Sequence, residues 1–500
     1  MPSAFSFTIA VFIIFFTMLA AVAALKEEKR FLLLFNILVS SVFALGAVFA
    51  ENILLMLFFW EGLLVTLYLF LLPYNKEAAA KAFLINAAGD VVLLVGISLF
   101  YASTKTLVFA ESNLTNLFGS SYWAFIFMFS GALAKAGAFP FHSWIAPAAK
   151  DAPFSFLAMM PAAVEKLLAV FLLGKIFVLL FPILPASARV FGCVLASLSI
   201  IIAALRMIIF KDLRELLAWN IIMQIGLLAL GLCIRIITES DGTYILNHGI
   251  FKAALLSCAF FAVAALNYSF GGVEIKDIKG SAKKDILTTV ILLTCALGLA
   301  GTALTDILFI PNALFSDVYE AMPLAALIPV LGSLATLFAF GKVFYAMLLK
   351  TDNPQKNAPL FKIITLISFI PVLFFTLGFE FSAEHLFGVH FSGINFNATS
   401  LICIVILLIG AAIAAKLKQP SYSFKRDTYD FAKISIYRVA RQLFQVDRFM
   451  DKIMDAWPSY IVQKCALRIS KFHRGNTPQY IIWAVFGIIV FIILAVGGIK

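Results

Sequence analysis

The sequence predicts an all-α polytopic membrane protein of about fourteen transmembrane helices, and three observations lead there. Hydrophobic residues make up 63 % of the chain and charged residues 13 %, against roughly half and about a quarter in soluble domains. Mean hydropathy is +1.02. Apolar runs of roughly 20 residues, the length that crosses the hydrocarbon core as helix, recur along nearly all of the 500 residues. A transmembrane barrel is excluded because segments such as Val11–Leu25 and Ile482–Val496 are apolar on nearly every face, without the alternation that barrel strands need.

The predicted spans are 5–25, 31–50, 52–73, 80–103, 122–140, 154–182, 187–209, 213–236, 243–268, 286–310, 323–349, 360–379, 396–416 and 478–499. The first starts close to Met1 and lacks a small-residue cleavage site, so it reads as a retained span and not as a signal peptide. Alternate loops carry the cations: Lys26, Lys29 and Arg30; Lys76 and Lys81; Lys211 and Arg214; Lys276, Lys279, Lys283 and Lys284; Lys350, Lys356 and Lys362. The positive-inside rule makes that set cytoplasmic and puts both termini outside.

Two spans carry breaks. Glycines and a proline surround Lys135 in Gly131–Pro140, and Leu299–Pro311 holds a glycine, two threonines and Asp306. Interrupted helices at equivalent places in two halves point to a transport site. The breaks lie five spans apart, an odd offset that reverses orientation, so two inverted five-helix repeats are expected. The predicted organisation is an N-terminal helix at 1–30, repeats at 31–182 and 183–350, further transmembrane helices at 351–416, a cytoplasmic amphipathic lateral segment at 417–477 and an anchor helix at 478–500. The lateral segment is read from its crowd of Lys and Arg and from Phe431, Ile434, Val439, Leu443 and Phe449 at mostly three- to five-residue intervals.

The net charge of +11 fits basic loops beside anionic lipid and does not call for nucleic acid. The six cysteines are scattered without a CxxC or a Cys/His cluster, so no metal site is expected. Neither GxGxxG, a Walker A loop nor a nucleophile elbow is present, and no cofactor or catalytic constellation is expected in this chain.

The chemistry resides in ionisable residues inside apolar runs, which cost at least a few kcal/mol in hydrocarbon and usually line ion pathways. Glu61 sits mid-span beside Trp60, and Lys135 sits at a helix break where backbone carbonyls and water are accessible. Together they form a candidate proton switch. Tyr244, His248 and Lys252 recur at four-residue steps on one helix face, a candidate relay. Asp90 is a second intramembrane acid suited to holding a helix junction or to a direct transport role. Glu165 and Lys166 point in different directions on one helix, with Lys166 expected to join the line near Lys135. Asp306 caps a half-helix or contributes to the pathway.

The strings FFWEGL around Glu61, KAFLINAAGD ending at Asp90, GALAKAGAFPFHSW around Lys135, DLRELLAWNIIMQIGLLALGL from Asp212 and NHGIFKAALL around Lys252 resemble the antiporter-like subunits of respiratory complex I, of membrane-bound hydrogenases and of multisubunit sodium/proton antiporters. The resemblance covers about residues 50–310 and is nearest to the large distal subunit type, which carries a lateral helix. It implies that Glu61 is the glutamate paired with the broken-helix lysine, Lys135, and that Lys252 is the central lysine, with His248 beside it. It implies partners as well: other membrane-arm subunits, the bilayer, and protons or sodium as the ion. The expected function is proton translocation within a complex I-related oxidoreductase. The alternatives are a subunit of a sodium/proton antiporter and a non-conducting structural subunit. The chain departs from the pattern at Ala87, where an arginine is usual, and at MMPAAVEKLLAVF, which is more hydrogenase-like. In the second broken span no lysine or glutamate stands at the exit position; Asp306 is nearest, and Lys342 lies one span later.

Overall fold

The computed structural model describes residues 4–111, 113–234, 241–301, 327–349 and 358–376, with positions 356, 409, 460, 463, 464, 467 and 468. It divides into Met1–Phe424 and Lys425–Lys500. The first unit is a bundle of α1 (Ala4–Ala24), α2 (Arg30–Phe49), α3 (Ile53–Leu71), α4 (Lys76–Thr104), α5 (Ser120–Lys135), α6 (Ile145–Asp151), α7 (Phe154–Met159), α8 (Glu165–Gly174), α9 (Ala186–Ile208), α10 (Leu213–Ile234), α11 (Asp241–Phe270), α12 (Ser281–Lys284), α13 (Ile286–Ala300), α14 (Leu327–Leu348) and α15 (Pro359–Thr376). In the second unit the described positions, Tyr460 and Lys464 among them, are helical and exposed. The expected spans 396–416 and 478–499 and the lateral segment lie outside the described residues, apart from these positions and Ile409.

Among the described residues eight helices are long and apolar enough to cross a membrane, and α13 and α15 are shorter apolar helices. Their placement follows from burial. The most apolar windows of α10 and α11 are 94 % and 100 % buried, against 39 % for α2 and α9. The first pair therefore forms the centre of the bundle and the second pair its rim, where Phe35, Leu38, Val42, Val190, Val194 and Leu205 face outward. Polar caps set several helix starts: Asn52, Asn75 and Asp285 accept from Leu55 N, Ala78 N and Thr288 N, satisfying amide groups that the first helical turn leaves open.

The first expected break is an interruption of helix, and at the second the described helix ends. The run predicted as 122–140 stops at Lys135, where Gly137 adopts φ +71°, and resumes as a 3₁₀ turn at His142–Trp144 followed by α6. The run predicted as 286–310 stops at Ala300, with Gly301 at φ +76°; residues 302–326 lie outside the described residues. A left-handed residue just past a helix is what glycine tolerates without steric cost. The run predicted as 154–182 is helical, with α7 and α8 joined through a π segment at Met160–Val164 and a second π segment at Lys175–Leu180. Pro161 lacks an amide hydrogen, and the Glu165 amide donates five residues back to Met160 O. The extra residue in that turn re-aims the face of α8 relative to α7.

The lysine-bearing loops meet at one edge of the bundle. Lys29 Nζ donates to Pro73 O at 2.7 Å, Tyr74 Oη to Glu28 O at 3.0 Å and Asn75 Nδ2 to Asp151 Oδ2 at 2.7 Å. Glu27, in the α1–α2 turn, is buried; it accepts from Ser155 N at 3.0 Å and from Ser155 Oγ, tying this turn to the start of α7. Burial pushes the Glu27 carboxyl above its ordinary value of 4.5, while the two Ser155 bonds oppose the rise. The native state therefore holds this proton more tightly than the unfolded chain, and stability falls as pH rises from 4.5 through the raised value. Glu27→Gln, which cannot ionise, is expected to flatten that dependence. Thermal unfolding of the purified protein across this range checks it, and an identical slope in the variant would contradict the assignment.

Candidate functional site

Three consecutive helices converge on Lys135, the last residue of α5. Asp90 of α4 is in direct ion-pair contact with it, Glu61 Oε1 of α3 lies 3.9 Å away, and the ammonium sits 5.6 Å from the centre of the Trp60 ring. The side chains of Lys135 and Asp90 are buried, whereas that of Glu61 is 43 % exposed, so Glu61 is the open flank of the cluster. The position of the lysine is favourable beyond the ion pairs: a helix C-terminus presents unpaired carbonyls and the negative end of the dipole to a cation.

The close approach of α4 and α5 depends on small residues. A Cβ at Gly131 would lie 2.8 Å from Leu93 Cα, and one at Gly96 would lie 2.6 Å from Met128 N; both distances are too short for ordinary packing. Gly131→Ala is therefore expected to force α4 and α5 apart and to cost about 1–3 kcal/mol, as overpacking does. The thermal midpoint of the assembled protein reads this, and an unchanged midpoint would contradict so close an approach.

From Lys135 the ionisable groups continue through the bundle. Glu165, at the start of α8, lies within electrostatic reach of Lys135. Its neighbour Lys166 lies within electrostatic reach of Lys252 of α11. Adjacent helical residues point about 100° apart, so α8 offers its acid to one side and its amine to the other. Lys166 Nζ is fully buried and has no hydrogen-bond partner among the described residues. Lys252 Nζ donates to Gly298 O at 2.6 Å, a carbonyl in the last turn of α13 that also accepts from Gly301 N at 3.2 Å. Each lysine thus meets the C-terminal end of a helix, Lys135 on its own and Lys252 on a neighbour.

These positions fall within a longer match to known sequences. Residues 50–339 match the family described as NADH:quinone oxidoreductase/Mrp antiporter, transmembrane region. The chain belongs to this family. Subunit L of an NADH-quinone oxidoreductase from Buchnera aphidicola is 24 % identical to this antiporter-family chain over 514 aligned positions, covering 94 % of the chain and 81 % of that protein. Subunit L of the F420H2 dehydrogenase of Methanosarcina mazei is 30 % identical, over 51 % of the chain and 42 % of that protein. For several of the curated relatives that it matches, the chain spans about half the length or less. Among solved structures, a chain of an archaeal membrane-bound sulfane sulfur reductase superposes with a TM-score of 0.69 at 21 % identity, covering 99 % of this chain and 89 % of that one; this is a likeness of fold.

Around Lys252 the antiporter-family chain adds neutral polar groups that sequence reasoning had not singled out. Gln224 Nε2 of α10 donates to Leu299 O at 2.8 Å and lies 3.2 Å from Asn220 Oδ1, while Asn220 Nδ2 lies 3.2 Å from Thr336 Oγ1 of α14. Two successive carbonyls at the end of α13 are therefore held by side chains from two other helices. The signal was an amide pair spaced i, i+4 inside a wholly apolar span, which places both groups on one helix face.

The helix of α11 extends over Tyr244 and His248, whose side chains lie outside the described residues; Asp306 lies outside them too. Lys342 is not beside Lys252: it stacks 5.1 Å from the Phe210 ring at the lysine-rich edge. Among the described residues no group of three or more His, Cys, Asp or Glu is placed to hold a metal.

Proposed function

We propose that this chain is the proton-translocating, antiporter-like subunit of a complex I-related membrane oxidoreductase, of the hydrogenase or NADH:quinone oxidoreductase type. The observation that carries the reading is Lys135, buried at a helix break in contact with Asp90 and 3.9 Å from Glu61. A lysine with two acids can hold its proton in one arrangement of the cluster and release it in another. The proton passes from Lys135 towards Lys252 past Glu165 and Lys166, with Tyr244 and His248 as the relay on α11 and Asp306 towards the outlet.

The larger frame belongs to the same reading. Ten of the fourteen spans form two inverted five-helix repeats at 31–182 and 183–350, supported by the two helix ends at Gly137 and Gly301 beside intramembrane lysines. The lysine-rich edge is cytoplasmic by the positive-inside rule, with both termini outside. A basic lateral segment at 417–477 runs along the cytoplasmic face before the anchor at 478–500. Moving one charge against 100 mV costs about 2.3 kcal/mol, which the redox subunits supply.

Inverted vesicles carrying the whole complex test this reading. Donor oxidation is expected to acidify the lumen, to do so equally when a sodium ionophore collapses any sodium gradient, and to do so at least about tenfold less in Glu61→Gln. Uptake abolished by the sodium ionophore would favour sodium/proton exchange, and normal uptake in the variant would make this a scaffold.

A further inference from the structure

A cavity of about 390 Å³ opens at the lysine-rich edge, well away from the ion-pair cluster. It lies between the α9–α10 turn, the segment after α11 and the last turns of α14, and is lined by Lys211, Lys276, Lys279 and Lys342 against one acid, Glu274. That acid already has its partner: Lys276 Nζ is 2.8 Å from Glu274 Oε2, and Lys211 and Lys150 are also within electrostatic reach of it. The lining thus keeps a surplus of three positive charges. Apolar surface, Ile275 and Leu349, closes the remaining wall.

We propose that this cavity binds the phosphate headgroup of an anionic glycerophospholipid. The chemistry asks for an anion larger than a halide, because three lysines beyond the Lys276–Glu274 pair line a space of several atoms. The location selects a lipid over a free anion. Lys342 stands six residues before the end of α14, hence about 9 Å along its axis from that end, and its apolar stem carries the charge towards the edge. An anion that it meets lies at headgroup depth, with Tyr345 and Leu349 of the lining offering apolar surface to the acyl chains. The site does not depend on proton transfer. It accounts for Lys342, which the pathway leaves unused.

The test is lipid retention by the whole complex after exchange into mixed phosphatidylcholine and phosphatidylglycerol vesicles, read by native mass spectrometry. Lys279→Gln combined with Lys342→Gln is expected to lower retained phosphatidylglycerol about thirty-fold, each lysine near an anionic surface being worth roughly a factor of five. Lys211→Gln alone is expected to lower it about fivefold, which keeps the test open if the double variant fails to assemble. Lys76→Gln combined with Lys283→Gln, with the same loss of charge outside the cavity, is expected to leave it unchanged. Equal losses in both double variants, or displacement of the lipid by added inorganic phosphate, would overturn the proposal. Because the readout is bound lipid, a failure here is distinguishable from a failure of the pumping reading.

Discussion

Lys135→Met is expected to destabilise the assembled subunit by roughly 3–5 kcal/mol, because it strands the buried Asp90 carboxylate without its cation. Glu61 adds less, since its Oε1 lies 3.9 Å from the ammonium whereas Asp90 is in direct contact with it. The double variant Lys135→Met with Asp90→Asn removes both charges of the buried pair and is expected to recover most of that loss. Thermal unfolding of the complex measures both. A cost under about 1 kcal/mol for the single variant, the range of a solvated surface pair, would show that the cluster is wetter than its burial implies. The same double variant separates stability from transport: it should fold and still not conduct.

Lys252→Arg has a different logic. Arginine keeps a positive charge and a donor for Gly298 O, now at 2.6 Å from Lys252 Nζ, but it does not release its proton. If Lys252 served only to tie α11 to the end of α13, the variant would transport almost normally. As a residue that must give up and regain a proton, it is expected to lose at least about a hundredfold of ion uptake while donor oxidation continues, the loss set by the upper part of what proton-transfer groups contribute. Lys252→Met loses both the tie and the charge, so it is expected to fail in the same assay. Near-normal uptake in Lys252→Arg would remove this lysine from the proton path.

The membrane-spanning helical class was legible from composition, because no soluble domain carries so little charge. The break at Lys135 and the end of α13 at Gly301 are legible as well, since glycine and proline beside Lys135 and glycine before Asp306 are local signals that act within a turn. What the chain alone did not show was partnership. Glu61, read as the partner of Lys135, lies 3.9 Å from it, and the closer contact is Asp90, which two helices packed at glycine distance bring to the same point. Periodicity states which face a residue occupies, not how near the next helix comes. Lys166, read as joining the line near Lys135, lies within electrostatic reach of Lys252; the π segment at Met160–Val164 shifts the helix phase just before it, which a 3.6-residue reading does not show. Gln224 and Asn220 were passed over because neutral amides carry no charge signal, although buried amides in an apolar span also need partners.

The central claim is a conducting axis through Lys135, and the number of ions taken up per donor oxidised tests it most directly. It is measured in inverted vesicles holding the whole complex, wild type beside Lys135→Met with Asp90→Asn, with assembly verified in both. The variant is expected to oxidise its donor and to move measurably fewer ions for each turnover. An unchanged ratio would mean that the ions take another route and that this buried cluster is structural.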